Sequence, residues 1–165
     1  MENPILTKLK EKFPESILEV AEFRGEWTIV VKREDIVSLC TFLRDDSELF
    51  FNFLSDLTAV DYLGRKPRFD VVYHLYSIDK NHRLGLKVKV EEDESIPSIT
   101  SVWSTANWLE REVFDLFGIR FDGHPDLRRI VLPEDWEGHP LRKDFPLTRE
   151  EVMFTHNKNR PPRTS

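Results

Sequence analysis

Alternating apolar and polar positions predict several β-strands in the first two thirds of the chain. Residues 83–90, RLGLKVKV, alternate cleanly, which places four aliphatic side chains on one face of a strand and the basic side chains on the other. Residues 16–23 and 26–31 flank Arg24-Gly25-Glu26, a tight-turn signal. These two runs therefore predict a β-hairpin.

Two more strands are predicted over residues 50–62 and 68–77. Asp79-Lys80-Asn81 has the composition of a turn, so the strand at 68–77 and the strand at 83–90 are expected to form an antiparallel hairpin. The polar face of residues 83–90 indicates that one face of the sheet is solvated.

Helical spacing appears at three places, two of them in the first half of the chain. Asn3 as N-cap and Pro4 at the first helical position predict a short helix at the N-terminus. Further on, an i, i+3, i+4, i+7 stripe predicts an amphipathic helix, formed by Ile36, Leu39, Cys40 and Leu43. Cys40 is therefore expected in the core, as a small buried residue.

The third helix is predicted to begin after Ser104 as N-cap, with Trp103 and Trp108 as a hydrophobic staple, and to end at Gly118 as a left-handed C-cap. Its buried stripe is expected to consist of Leu109, Val113, Leu116 and Phe117. The charged residues on the opposite side are expected to be solvated, namely Glu110, Arg111, Glu112 and Asp115.

Together these elements predict an α+β fold, a two-layer sandwich with a mixed, mainly antiparallel sheet and an extended C-terminal arm. We divide the chain into a body at residues 1–117, a partner-binding arm at 118–147 and a flexible basic tail at 148–165. With 165 residues, the chain is long enough to bury a core without disulfides.

Composition excludes several classes of site and of function. A single cysteine excludes an intramolecular disulfide and a four-thiolate metal or iron–sulfur site. A net charge of -6 argues against nucleic-acid binding. The longest apolar stretches are far shorter than a transmembrane helix, and the N-terminus lacks signal-peptide features, so we expect a soluble, unexported chain.

The segment at residues 108–147 is dense in charge, proline and aromatic residues. Fifteen of its forty residues are Asp, Glu, Lys or Arg, and prolines recur every six to eight residues beyond Gly118. The prolines exclude a helix there, and the aromatic residues are more than a solvated tail carries. This arm is therefore expected to lie against another surface.

The run EREVFDLFGIRFDGHPDLRRI, followed by DWEGHPLRKDFPL, resembles the signature of the C subunit, or 30 kDa subunit, of respiratory complex I, the proton-pumping NADH:quinone oxidoreductase. Weaker similarity lies upstream in SVWSTANW and FLSDLTAVDYLG. The resemblance implies a cofactor-free structural subunit in the peripheral part of complex I, on the cytoplasmic side of a bacterial inner membrane. It implies docking on the large quinone-site D subunit, near the B and I subunits, with the iron–sulfur clusters, FMN and quinone held by other subunits.

The residues themselves offer few alternatives to a structural role. The glycines form neither GxGxxG nor a phosphate loop, and no GxSxG is present. His124 and His139 lie in Gly-His-Pro bends, where bonds to backbone carbonyls are favoured over metal binding or proton relay. The alternative within the resemblance is the equivalent subunit of a related membrane-bound hydrogenase or F420H2 dehydrogenase. Alternatives of other classes are a free-standing hydrolase that uses the His, Asp and Glu residues of this segment, and an assembly chaperone.

Recognition of partner subunits is therefore assigned to the arm. Arginines that can form bidentate bonds and aromatic anchors are typical of buried interfaces, and we predict a partner interface of Arg128, Arg129, Trp136, Arg142, Lys143 and Phe145. The same arginines could instead pair with Glu110, Glu112 or Asp115 of the body. Both arrangements are expected, because one side of an extended arm can face the body and the other a partner.

Overall fold

The structure, a computed structural model, describes residues 4–147. The predicted N-cap Asn3 and the predicted tail at 148–165 lie outside this range. The elements in chain order are helix α1 Pro4–Lys12, strands β1 Ile17–Phe23 and β2 Glu26–Val31, a 3₁₀ turn Arg33–Asp35, helix α2 Ile36–Asp45, strands β3 Phe53–Asp61, β4 Phe69–Ser77, β5 His82–Val90 and β6 Ser95–Pro97, helix α3 Ala106–Phe117, and strand β7 Arg120–Asp122.

Strands β1 to β5 form one mixed sheet in the order β1-β2-β5-β4-β3. The β2–β5 pair is parallel and the other three pairs are antiparallel, which confirms a mixed, mainly antiparallel sheet. In the first hairpin, Arg24 and Gly25 both have positive φ, at 52° and 83°, as a type I′ turn requires. The predicted alternation of β5 is also confirmed, since its aliphatic side chains are buried and Arg83 is exposed.

Helices α1, α2 and α3 pack their apolar sides against the sheet and enclose the core. The predicted stripe of α2 is fully buried, Cys40 included. Burial raises the pKa of the Cys40 thiol. The two-layer α+β architecture predicted from the pattern is therefore confirmed. None of the helices within residues 4–147 is long and apolar enough to cross a membrane.

The start of α3 differs from the prediction. The helix begins at Ala106 after Thr105, and no side-chain hydrogen bond caps this end. Trp103 is drawn into the core, where its indole N–H donates to the carbonyl of Phe51 at 3.1 Å, whereas Trp108 is 71% exposed. The predicted Ser104 cap and the staple between the two tryptophans are wrong, because the hydrogen bond to Phe51 decides the position of Trp103.

The solvated charged face predicted for α3 is also wrong at two positions. Glu110 and Asp115 have no exposed surface. Glu110 belongs to the inward row of the helix, which consists of Ala106, Glu110, Val113 and Phe117. Leu109 and Leu116, predicted as buried, are only partly so. The apolar stripe is therefore rotated from the predicted one, and both carboxylates have partners inside the protein.

The chain leaves α3 through Gly118, whose φ of 77° confirms the predicted left-handed C-cap. Strand β7 then pairs in parallel with β6 to form a small second sheet that the pattern did not reveal. Ile119 and Phe121 lie in the core. The packed part of the molecule thus includes the first residues of the segment at 118–147, which we call the C-terminal arm.

Candidate functional site: the C-terminal arm and its helix

The first half of the C-terminal arm runs along one side of α3. His124 contacts the carbonyl of Asn107, Arg111 donates to the carbonyls of Arg128 and Arg129, and Asp115 binds the backbone that follows. Asn107, Arg111 and Asp115 are four residues apart, so they form one row on the helix surface. The helix therefore binds the arm at three successive turns.

Asp115 is the central contact of this row. Its Oδ2 accepts hydrogen bonds from the backbone N–H groups of Ile130, Val131 and Leu132 at 2.8 to 3.0 Å. Its Oδ1 accepts a hydrogen bond from Nη1 of Arg129 at 2.6 Å. Burial raises the pKa of this carboxyl, but the backbone donors and the guanidinium outweigh burial and hold the pKa below its ordinary value. Asp115 is therefore ionised at neutral pH and fixes three consecutive residues of the arm.

The second half of the arm satisfies the last carbonyl groups of α3, which have no partner within the helix. His139 Nδ1 lies 2.8 Å from the carbonyl oxygen of Asp115, the N–H of Leu141 donates to Leu116 at 3.1 Å, and Nε of Arg142 donates to Phe117 at 2.5 Å. Burial lowers the pKa of His139, so the ring is neutral at neutral pH and its N–H at Nδ1 donates to the carbonyl.

Gly118 is required at this junction for two reasons. Its φ is in the left-handed region, and a Cβ there would lie 2.6 Å from both Nη2 of Arg142 and Nε2 of His139. A side chain at this position would therefore require Arg142 and His139 to move.

A network of charges fixes the last part of the arm to the sheet. Arg68, directly before β4, is almost fully buried and donates through Nε and Nη2 to the carboxylate of Asp61 at 2.9 and 2.8 Å. It also donates to Asp144 of the arm at 2.8 Å, while the N–H of Lys143 donates to Asp61 at 2.8 Å. The bonds from Arg68 outweigh burial and lower the pKa of Asp61, so the network is charged at neutral pH.

The predicted interface residues divide into inward and outward groups. Arg129 and Arg142 point inward, onto Asp115 and the end of α3. Arg128 is exposed and pairs with Asp126 at 2.9 Å, and Lys143 is exposed as well. The predicted pairing of an arm arginine with Asp115 is confirmed, and the partner contacts stay a prediction.

The two aromatic members of the predicted interface are partly buried. Phe145 packs over Gly138, where a Cβ would lie 2.9 Å from its ring. The carbonyl of Trp136 accepts Nη2 of Arg129 at 2.9 Å, and its indole N–H is buried without a hydrogen-bond partner among residues 4–147. The ring of Phe145 and the backbone of Trp136 therefore contribute to the arm's own conformation.

Sequence reasoning missed the apolar residues that the arm turns outward. Ile130 is 40% exposed, Val131 58% and Leu141 52%, and Leu147 is almost fully exposed. Ile130 and Val131 cannot turn inward, because their N–H groups are held on Asp115. The signal in the sequence is the apolar run IVL directly after the arginine pair.

Asp61 and Arg68 were also missed as contact residues, and so was the burial of Glu110. For Glu110 the sequence did contain a signal, since it falls in register with Ala106, Val113 and Phe117.

Metal-ligand clusters of three or more His, Cys, Asp or Glu residues are not found within residues 4–147. His124 and His139 both contact backbone carbonyls, as predicted for the Gly-His-Pro bends.

The C-terminal arm lies in the part of the chain that matches a known family. The family described as "Respiratory-chain NADH dehydrogenase, 30 Kd subunit" matches residues 29–151, which include most of the five-stranded sheet, α3 and the whole C-terminal arm. The chain belongs to this family. The resemblance stated from the sequence alone is thereby confirmed.

Relatives in the 30 kDa subunit family are similar over most of their length. The C subunit of NADH-quinone oxidoreductase from Roseiflexus sp. (strain RS-1) is 57% identical over 157 residues, covering 94% of this chain and 90% of the relative. The protein of the same name in Geotalea uraniireducens is 60% identical over 146 residues, covering 88% of each chain.

A solved structure shares the fold. One chain of the membrane-bound sulfane sulfur reductase, an archaeal respiratory membrane complex, aligns with a TM-score of 0.73 over 87% of this chain and 85% of that one. The two are 24% identical, so this likeness concerns the fold alone.

Proposed function

We propose that this protein is a structural subunit of a respiratory NADH:quinone oxidoreductase, in the part of the complex that projects from the membrane. Electron transfer from NADH to quinone and its coupling to proton translocation would then take place in other subunits. Membership in the 30 kDa subunit family supports this role, and so does the way in which the fold uses its charged residues to hold the C-terminal arm.

The observation that carries the proposal is the attachment of the arm through Asp115. One buried carboxylate fixes three consecutive residues of the arm and leaves Ile130 and Val131 exposed beside each other. Adjacent exposed β-branched residues on a fixed backbone form a preorganised binding surface, because the arm need not be ordered during association. Such a surface suits a subunit that assembles with others.

We assign the docking partner as the large quinone-site D subunit, with the B and I subunits nearby, on the cytoplasmic side of the inner membrane. The high identity to the C subunits of NADH-quinone oxidoreductases supports this assignment. The equivalent position in a membrane-bound hydrogenase or F420H2 dehydrogenase is less favoured, because the high identity is to the complex I proteins while the archaeal likeness concerns only the fold.

We further propose that the subunit holds no cofactor. Cys40 is the single cysteine of the chain, and it is buried in the core. An iron–sulfur cluster needs several thiolate ligands. Purified protein should therefore show no visible absorbance, no EPR signal and no oxidation of NADH. Stoichiometric iron or flavin in the purified chain would contradict this part of the proposal.

Recovery of the subunit with its complex tests the role. The tagged wild-type chain should co-purify from native membranes with the other complex I subunits, identified by mass spectrometry. A double variant, Ile130→Ser with Val131→Ser, should be recovered in the complex at a much lower level while its thermal midpoint as a free chain stays unchanged.

The matched control is Leu18→Ser with Phe23→Ser, which changes two exposed apolar residues of β1 on the far edge of the sheet. This control should assemble like the wild type. Equal recovery of both double variants would reject the arm as the docking surface, and a wild-type chain that purifies without other subunits would reject the structural role itself.

A further inference from the structure

Glu110 is a buried acid that the docking role does not use. It lies on the inward side of α3 with no exposed surface. Its Oε1 accepts the N–H of Ile99 at 2.8 Å and its Oε2 contacts the hydroxyl of Ser98 at 2.6 Å. Within residues 4–147, the one basic side chain that reaches 4.0 Å from this carboxyl group is His124.

The other titratable groups that face Glu110 are uncharged. Cys40 from α2 and Tyr73 from β4 are fully buried, and burial raises the pKa of both further above their ordinary values, so both are neutral. Neither can compensate a negative charge on Glu110. Burial accordingly raises the pKa of Glu110 to about 7, against the opposing effect of the hydrogen bonds from Ser98 and Ile99.

The Nε2 atom of His124 bonds one acceptor and lies near a second. The N–H of Asp126 donates to its Nδ1 at 3.0 Å, which leaves the ring proton on Nε2. Nε2 lies 3.1 Å from the carbonyl oxygen of Asn107 and 4.0 Å from Oε2 of Glu110. His124 follows β7 and bonds the arm to Asn107 of α3. A rotation of its ring away from Asn107 would break this bond.

We propose that Glu110 is a proton-binding site whose charge selects the acceptor of His124 and thereby controls how the arm begins on α3. In the protonated state, Glu110 donates to Ser98, and His124 donates to the carbonyl of Asn107 as the structure shows. In the ionised state, the carboxylate attracts the N–H of His124, and the bond to Asn107 is lost.

The structure provides a route for this proton. The hydroxyl of Ser98 lies 2.6 Å from Glu110 and 2.9 Å from the hydroxyl of Thr100, and either hydroxyl can donate to the other. Thr100 is partly exposed. A proton released by Glu110 can pass through Ser98 to Thr100 and leave to water, and the hydroxyl groups then reverse their direction.

The first experiment measures the titration directly. The full-length chain is labelled with ¹³C at glutamate side-chain carboxyl groups and followed by NMR from about pH 5 to pH 9. One signal should titrate near pH 7, should disappear in Glu110→Gln, and should persist in Glu112→Gln, an exposed residue on the same helix. If no glutamate signal of the wild type titrates above about pH 6, the proposal is wrong. This result does not depend on the folding of any variant.

The second experiment measures the consequence for the arm. Amide exchange at residue 124 and residues 126–128, corrected for intrinsic rates, should become at least about threefold faster between about pH 6 and pH 8.5 in the wild type, because the bond to Asn107 is lost. Glu110→Gln should show no such change, and Glu112→Gln should behave like the wild type. Constant protection in the wild type across this range would overturn the coupling between Glu110 and the arm.

Discussion

Two buried carboxylates on α3 have pKa values that are shifted in opposite directions, and burial together with the donors around each explains the difference. Asp115 has a guanidinium and three backbone N–H groups, whereas Glu110 has one N–H and one hydroxyl. The pKa of Asp115 is therefore lowered and that of Glu110 is raised, although both side chains are fully buried. Deep burial with few donors raises the pKa of Glu110, whereas the shallower site and more numerous donors of Asp115 lower its pKa.

Replacement of Asp115 by asparagine should destabilise the free chain strongly. The amide group places an NH₂ where the carboxylate accepts N–H groups, so some donors of Arg129 or residues 130–132 lose their acceptor. A loss of about 3 kcal/mol in the free energy of unfolding is expected in urea denaturation. The exposed Glu112→Gln should change stability by less than about 0.5 kcal/mol. Equal midpoints for the two variants would show that Asp115 is not essential for the fold.

Stability should depend on pH through Glu110, in the opposite sense from most acidic residues. Its folded pKa of about 7 lies above the ordinary value of 4.5, so its contribution is complete below about pH 4.5 and is lost as the pH rises through 7. The loss for this group is about 3 kcal/mol. Urea denaturation at about pH 6 and pH 8.5 should show a smaller difference for Glu110→Gln than for the wild type. An equal difference in both proteins would contradict the assignment.

At the scale of elements, the junction between α3 and the arm depends on Gly118. Gly118→Ala introduces both left-handed strain and a clash with His139 and Arg142, whereas Gly123→Ala introduces strain alone, since φ is 79° there and nothing lies within 4 Å of the added Cβ. The strain costs about 1 to 2 kcal/mol at either site. Gly118→Ala should therefore lose clearly more stability in urea denaturation than Gly123→Ala. Similar losses would mean that the arm shifts easily away from the helix end.

Elements with local signals were predictable from sequence, and contacts between distant segments were not. The Arg24-Gly25 turn, the alternation of β5 and the stripe of α2 each depend on neighbouring residues, and all three are confirmed. The direction of the arm depends on pairs such as Arg68 with Asp144, which are 76 residues apart. A pattern along the chain cannot identify such a pair, because either residue alone is typical of a solvated surface.

At the scale of the whole molecule, the arginines of the arm should separate folding from assembly. Arg129→Ala removes a partner of buried Asp115 and should lower the free energy of unfolding by about 3 kcal/mol, whereas Arg128→Ala affects an exposed pair and should cost less than about 0.5 kcal/mol. Recovery in the complex and the thermal midpoint are measured for both. Arg128→Ala should reduce recovery alone, and Arg129→Ala should reduce both. A drop in thermal midpoint for Arg128→Ala as large as that for Arg129→Ala would contradict this separation.

The parallel pairing of β2 with β5 has a consequence for biosynthesis. The β1–β2 hairpin can form early, but it can join the sheet only when β5 has left the ribosome, because β2 pairs with β1 on one side and with β5 on the other. The contacts of Asp61 and Arg68 with the arm require residues 143 and 144, which are synthesised later still. Most of the nascent chain must therefore be synthesised before its fold closes, and the unpaired edge of β2 is open to chaperones and to aggregation during that time.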